Sequence, residues 1–261
     1  VYPAWFNMGL IQESQGKFTE ASASYRKAAQ LEPKNATPLV QLAIVLVRMK
    51  KYPEARVEAQ KAVAIDAKSP NAHYALAGAF AGTNNGPEAI KEFKLACELN
   101  PKNGQYRFSL GYSYASQNKV DEAINEFKES IRLSPKFAQS WMYLGILQQK
   151  KLDYNAALQS YKKVSELNPK DAAAHYNAGI CYQLMGVNMN NAKGLQLVQS
   201  AISEYNQALA LAPKYTPAKL NVARLYFKTG AYLDAAKLFR SVLAETPNNP
   251  QLQADTAVSE M

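Results

Sequence analysis

The spacing of proline constrains this chain more than any other feature. Pro33, Pro101, Pro135, Pro169, Pro213 and Pro247 recur at a period of 34 residues, with one double interval whose missing mark falls on Ala67 and one interval lengthened by ten residues. Twelve residues before each of the seven marks stands an alanine: Ala21, Ala55, Ala89, Ala123, Ala157, Ala201 and Ala235. Four residues beyond each alanine comes Tyr25, Ala59, Phe93, Phe127, Tyr161, Tyr205 or Phe239, so six of the seven are aromatic. A unit this short cannot bury its own apolar face, so the copies must stack on one another.

Each unit reads as two helices. In the fifth, Trp141, Leu144, Gly145 and Gln148 fall at i, i+3, i+4 and i+7, one face of a first helix. A turn follows at Lys151-Leu152-Asp153. Ala157, Tyr161 and Val164 then mark one face of a second helix that stops at Asn168-Pro169. Proline ends it because the preceding residue is pushed out of the helical region and proline has no N–H to donate. The inner turn carries a residue tolerant of positive φ at Gly16, Asn84, Asn118, Gly186 and Gly230. Small residues mark where the two helices cross: Gly9, Ala43, Ala77, Gly111, Gly145, Gly179 and Ala223. Pro53 and Pro87 open second helices, where a missing N–H does no harm.

This pattern resembles the tetratricopeptide repeat (TPR), whose signature is W-x2-L-G-x2-Y followed by A, F and P at fixed offsets. Trp5-Met8-Gly9, Leu110-Gly111-Tyr114 and Trp141-Leu144-Gly145 match its first block directly; Ala178-Gly179-Tyr182 and Val222-Ala223-Tyr226 match it loosely. The resemblance spans residues 2–249 as seven repeats: 2–35, 36–69, 70–103, 104–137, 138–171, 172–215 with the ten-residue insertion, and 216–249. His73, Arg107, His175 and Lys219 depart from it at the tryptophan position, and Ala67 at a proline. The implied fold is all-α, a right-handed superhelical α-solenoid of helix-turn-helix hairpins. Residues 250–261 lose the repeat spacing and read as a capping helix or a truncated eighth repeat. In the insertion, residues 186–191 read as a loop and 192–199 as an extension of the second helix.

The resemblance also implies that first helices line a concave groove. Positions 5, 9 and 12 of a repeat lie at i, i+4 and i+7, a stripe about 100° from the packing stripe. Position 5 carries Phe6, Val40, Tyr74, Phe108, Met142, Tyr176 and Leu220; position 9 carries Leu10, Ile44, Gly78, Tyr112, Ile146, Ile180 and Arg224; position 12 adds Val47 and Phe227. Position 5 is also open to a packing role against the neighbouring repeat. Aliphatic side chains at position 9 stand where many TPR proteins place a polar residue, and they predict an apolar groove for an extended or helical segment of another protein. The clamp with which some TPR domains hold chaperone C-termini requires Lys, Asn, Asn, Lys and Arg across three repeats. Phe6 with Leu10, or Tyr74 with Gly78, stand at its first positions, so that mode is disfavoured.

Chemistry is sparse. His73 and His175 both fall at position 4, three repeats apart, and read as packing residues. Cys97 and Cys181 are too far apart in the repeat for a disulfide and do not form a zinc motif. Gly78, Gly82 and Gly86 are followed by no Gly-Lys-Ser/Thr, so they make no phosphate loop. No catalytic residue, metal site, cofactor or small-molecule substrate is expected. The net charge of +9 permits an acidic partner, and Arg48, Lys150 and Lys228 share position 13 at the groove rim. Nucleic acid is disfavoured because the aromatics follow the repeat framework rather than a basic stripe. No stretch reaches the roughly 18 apolar residues of a membrane span. Val1-Tyr2-Pro3-Ala4-Trp5-Phe6 reads as the middle of an element, so the chain is expected to be a piece of something longer. Its compartment is left open, with the bacterial periplasm and cytoplasm both compatible. The expected function is a non-enzymatic scaffold in a larger assembly, similar in style to bacterial envelope, pilus or secretion proteins. The alternative is the substrate-recruiting arm of a multidomain enzyme such as a glycosyltransferase.

Overall fold

A computed structural model of the chain describes residues 1–186, 189 and 191–260, the last without its side chain. The described residues form fifteen helices in two compact units, Val1–Pro135 and Lys136–Met261. The first unit holds four hairpins: α1 (Tyr2–Ser14) with α2 (Phe18–Leu31), α3 (Ala36–Arg48) with α4 (Tyr52–Ile65), α5 (Pro70–Gly82) with α6 (Gly86–Leu99), and α7 (Gly104–Ser116) with α8 (Val120–Leu133). The second holds α9 (Ala138–Lys150) with α10 (Tyr154–Leu167), α11 (Ala172–Gly186) with α12 (Ala192–Leu211), α13 (Thr216–Lys228) with α14 (Tyr232–Leu243), and the terminal α15 (Pro250–Glu260). Within each unit a second helix packs on the next first helix, and α3 also meets α5 directly.

What closes the hairpins is a ring against a small residue, except between α3 and α4, where Ala59 stands in the place of the ring. Tyr25, Phe127, Tyr161 and Tyr205 are fully buried. A methyl group added at Gly9, Gly145 or Gly179 would meet the ring of Tyr25, Tyr161 or Tyr205 at 2.5, 2.7 and 2.6 Å, nearer than carbon atoms approach. The alanine four residues before each ring (Ala21, Ala55, Ala89, Ala123, Ala157, Ala201, Ala235) is likewise buried. Several first helices are started by a side chain that accepts an orphan backbone N–H: Asn35 from Thr37, Ser69 from Ala72, Asn103 from Gln105 and Tyr106, and Asp171 from Ala173 and Ala174.

The inner turns differ from expectation in an informative way. Gly16, Asn84, Asn118 and Gly230 have positive φ, but so do Lys50 at 59° and Leu152 at 62°. The turn geometry is set by the hairpin, and it imposes the left-handed conformation even where the side chain disfavours it. Gly186 is a correction: it is the last residue of α11 and does not have positive φ. Its missing Cβ serves close approach instead, since a methyl there would lie 2.7 Å from Leu197 Cβ and 3.0 Å from the Gly194 carbonyl. The first helix that precedes the ten-residue insertion runs two positions further than the others, 15 residues against 13.

Of the expected insertion loop, Val187, Asn188 and Asn190 lie outside the described residues. The expected extension of the second helix is present: α12 has 20 residues where α10 has 14, and Asn191 caps it by accepting the Gly194 N–H at 2.9 Å. Leu252 of α15 is buried in a core with Ala223, Ala235, Phe239 and Val242, so α15 covers the apolar edge of the last hairpin.

Leu152 is 70% exposed, so its side chain contributes little packing to offset its backbone strain. Leu152→Gly is expected to raise the stability of the protein by about 0.5–1 kcal/mol, the left-handed penalty less the entropy glycine loses on folding. An increase in urea midpoint at unchanged slope is the expected result; a decrease would contradict the strain assignment.

Candidate functional site: the first-helix faces

Position 5 of the repeat is occupied chiefly by packing. The rings of Phe6, Tyr74, Phe108 and Tyr176 lie 5.7, 5.5, 5.6 and 5.7 Å from the buried rings of Tyr25, Phe93, Phe127 and Tyr205 in their own hairpins. Some also reach a residue in, or at the N-cap of, the next first helix. Tyr74 stacks on Tyr106 at 5.0 Å, and Tyr176 meets Tyr215 edge-on at 4.9 Å. Met142 packs against the core around Tyr161, and Leu220 against that around Phe239. Val40 is buried at 3% exposure within the core between α3, α4 and α5, leaving almost no surface for a partner.

Position 9 differs. Leu10, Tyr112 and Ile146 are 41%, 49% and 40% exposed, which is high for large apolar side chains. Arg224 is exposed as well, while Ile44, Gly78 and Ile180 are half-buried. Ile180 leans on the core between α12 and α13 and Ile44 on that of α3–α5. At position 12, Val47 and Phe227 are half-buried, Val47 against the core built from α2, α3, α4 and α5 and Phe227 beside Tyr232 at 5.3 Å. The structure therefore places the expected stripe as a packed row at position 5 beside a more open row at position 9. Arg48, expected at the rim, reaches Glu13 at 3.2 Å and sits over the Phe18 ring.

Two regular side-chain couplings escaped the sequence reading, although both leave a signal there. At three of the four repeats whose tryptophan position holds a basic residue, the residue one before the buried ring is glutamate: His73 meets Glu92 at 2.6 Å, Arg107 meets Glu126 at 3.1 Å and His175 meets Glu204 at 2.8 Å, whereas Lys219 pairs with Glu245 at 3.0 Å. Where that position is Trp5 or Trp141, the partner position is Ser24 or Ser160, each donating to Gln12 or Gln148 two turns along the first helix. Secondly, each buried tyrosine finds an acceptor at position 12. Tyr25 donates to Glu13, Tyr161 to Gln149 and Tyr205 to Gln183, at 2.8, 3.0 and 2.7 Å. Where the ring is Phe93 or Phe127, position 12 is Ala81 or Ala115. A buried hydroxyl needs a partner and a phenyl ring does not.

Titratable groups with strong shifts are structural. Burial raises Tyr25, Tyr161 and Tyr205 well above the ordinary phenol range, with the carboxylate of Glu13 adding to the rise at Tyr25. Burial also pushes the Cys97 thiol up to about 11 and that of Cys181 to about 12. Both thiols are free and enclosed. Among the described residues no three His, Cys, Asp or Glu side chains are grouped to hold a metal ion, and no helix is long and apolar enough to cross a membrane.

Comparison with known proteins agrees with this architecture. A family model described as "Tetratricopeptide repeat" matches residues 13–79 and 197–256, and one described as "TPR repeat" matches 111–151 and 153–186. The chain belongs to the tetratricopeptide-repeat proteins, a class built of stacked helical hairpins and generally serving as non-enzymatic scaffolds for protein interaction. No curated protein matches it in sequence. Among solved structures it is similar to the C-terminal part of a TPR repeat-containing protein from Cytophaga hutchinsonii, with TM-score 0.76, 15% identity and coverage of 96% of this chain and 98% of that one. It is similar to PilF of Pseudomonas aeruginosa, with TM-score 0.70, 20% identity and coverage of 87% and 97%. It is also similar to YrrB, with TM-score 0.58, 21% identity and coverage of 74% and 95%.

A thiol held near 11 or 12 is about a thousandth or less thiolate at pH 8, and only the thiolate is nucleophilic. Cys97 and Cys181 are therefore expected to react with a disulfide reagent at least about 100-fold more slowly in the native protein than in urea. Native rates should rise as pH rises toward the raised values. Labelling of either thiol in the folded protein at the rate of a free cysteine would contradict their enclosure.

Proposed function

We propose that this chain is a scaffold that holds a segment of another protein along its first-helix faces, which form an apolar groove. The observation that carries this reading is the exposure of Leu10, Tyr112 and Ile146 at one repeat position, next to a row of neighbours engaged in packing. An aliphatic or aromatic side chain repeated in solvent along stacked helices is an interaction patch that desolvation by a partner would stabilise. Ile44, Ile180, Val47 and Phe227 supply half-buried shoulders to the same row.

The seven repeats, 2–35 through 216–249, are in this reading the recognition array, and residues 250–261 its cap. YrrB is a TPR protein with an unusual peptide-binding site, and a peptide-like occupant is the corresponding reading for the present chain. The larger assembly is proposed to be one of the bacterial envelope, such as a pilus or secretion machine, on the style of the repeats.

Ile180 rests on core, so a test is cleaner with the exposed positions. Tyr112→Glu together with Ile146→Glu is expected to keep the helical circular-dichroism signal and the thermal midpoint within a few degrees. The same variant should lose the proteins that the wild-type chain captures from its source lysate. Equal capture by a folded variant would move the interface off these faces. A large loss of helical signal would show the two side chains to be core.

A further inference from the structure

The charge of this molecule is sorted by helix. Of the 21 acidic residues, Glu13 alone lies on the first helices α1, α3, α5, α7, α9, α11 and α13. Glu13 is occupied, accepting the Tyr25 hydroxyl at 2.8 Å and pairing with Arg48 at 3.2 Å. The same helices carry Arg48, Arg107, Lys150, Lys219, Arg224 and Lys228. Three of these are balanced by carboxylates: Arg48 by Glu13, Arg107 by Glu126 and Lys219 by Glu245. Arg224 is not. It is exposed, and no described residue gives it a hydrogen bond or ion pair.

Arg224 stands at position 9, where the other repeats carry aliphatic, aromatic or glycine residues. It borders a cavity of about 480 Å³ between α13, α14 and α15, lined also by Phe227, Phe239, Gln251, Ala254, Asp255 and Val258. The lining is chiefly apolar, with Phe239 buried beneath it and Val258 54% exposed. Its one carboxylate, Asp255, accepts the Gln251 amide at 2.8 Å, so the guanidinium is the charged group of the lining without a partner among the described residues. A volume of this size holds one or two large side chains.

We propose that this cavity is the anchoring point for an acidic protein segment, in which a carboxylate pairs with Arg224 while a neighbouring leucine-, isoleucine- or phenylalanine-like side chain fills the cavity. The proposal rests on the reading that the first-helix faces hold a protein segment, and it gives the chemistry of that segment. Charge complementarity selects it. The first-helix faces carry a single carboxylate, Glu13, which is already paired, and the cavity carries one, Asp255, against the guanidinium of Arg224, which can take a partner's carboxylate through two parallel N–H donors. A basic segment meets the opposite conditions.

The test uses a display library of random dodecapeptides selected on the full 261-residue chain, with the enriched sequences then synthesised and titrated. Enriched peptides are expected to average two or more net negative charges, with an apolar residue within two positions of an Asp or Glu. Arg224→Glu should weaken them at least about tenfold, Arg224→Lys by no more than about threefold, and their affinity should fall as salt rises. Enrichment of neutral or basic peptides, or affinities indifferent to Arg224→Glu, would overturn the proposal. So would displacement of the winners by an equimolar single-stranded oligonucleotide, which would make the site one for phosphates. Peptides lost with Tyr112→Glu/Ile146→Glu yet unchanged by Arg224→Glu would leave the groove reading standing and remove its acidic anchor. Peptides indifferent to both variants, or no enrichment at all, would overturn the groove reading itself.

Discussion

The structure depends on the contact between the buried residue of the second helix, a ring in every hairpin but that of α3 and α4 where it is Ala59, and a small residue of the first. Tyr25 on Gly9, Phe127 on Gly111, Tyr161 on Gly145 and Tyr205 on Gly179 leave no room for a methyl group in ordinary contact. This contact sets how near the two helices cross, and the rest follows from it. The neighbouring position-5 ring can pack tilted or edge-on against the buried one at 5.5–5.7 Å. A tyrosine at that place needs its acceptor at position 12, and the inner turn needs a left-handed residue whatever side chain it carries. Because each hairpin closes in this local way, stability accumulates by nearest-neighbour stacking rather than around one central core.

The same arrangement explains why surface chemistry can vary without disturbing the fold. The packing row and the crossing residues absorb most of the first helix, and position 9 falls just outside both. It is free to be Leu10, Tyr112, Ile146 or Arg224. Shape therefore comes from the periodic positions, while any selectivity toward a partner is written in the positions between them. The second helices hold nearly all the helical carboxylates and supply Glu92, Glu126 and Glu204 to balance basic residues that have replaced tryptophan.

Much of the fold was legible in the sequence because a 34-residue period repeats the same evidence seven times. The hairpins, the second-helix starts at Pro53 and Pro87, and the longer α12 were all readable from it. The failures are local and physical. Gly186 looked like a turn glycine because it holds the turn register, but the insertion displaced the turn, and its glycine makes room for Leu197 instead. Lys50 and Leu152 gave no sign of positive φ, since the conformation there is imposed by closure of the hairpin and not by the residue. At the candidate site, positions 5 and 9 look alike as hydrophobic letters. Only the placement of Tyr25, Phe93, Phe127 and Tyr205 beneath position 5 separates a packing row from an exposed one. The His–Glu and Tyr–Gln couplings were present as correlated letters within repeats, and a column-by-column comparison of the seven copies would have exposed them.

The central claim is that hairpin packing uses one face of the first helix and leaves position 9 exposed at Leu10, Tyr112 and Ile146. Hydroxyl-radical footprinting of the dilute free protein, quantified side chain by side chain, measures this directly. Tyr112 is predicted to be modified at least about tenfold faster than Tyr25, Tyr161 and Tyr205, which are fully enclosed. Ile146 and Leu10 should likewise outpace the buried Leu144 and Leu110. Protection of Tyr112 and Ile146 equal to that of Tyr161 and Leu144 would show position 9 to be core, and the packing scheme together with the function built on it would fail.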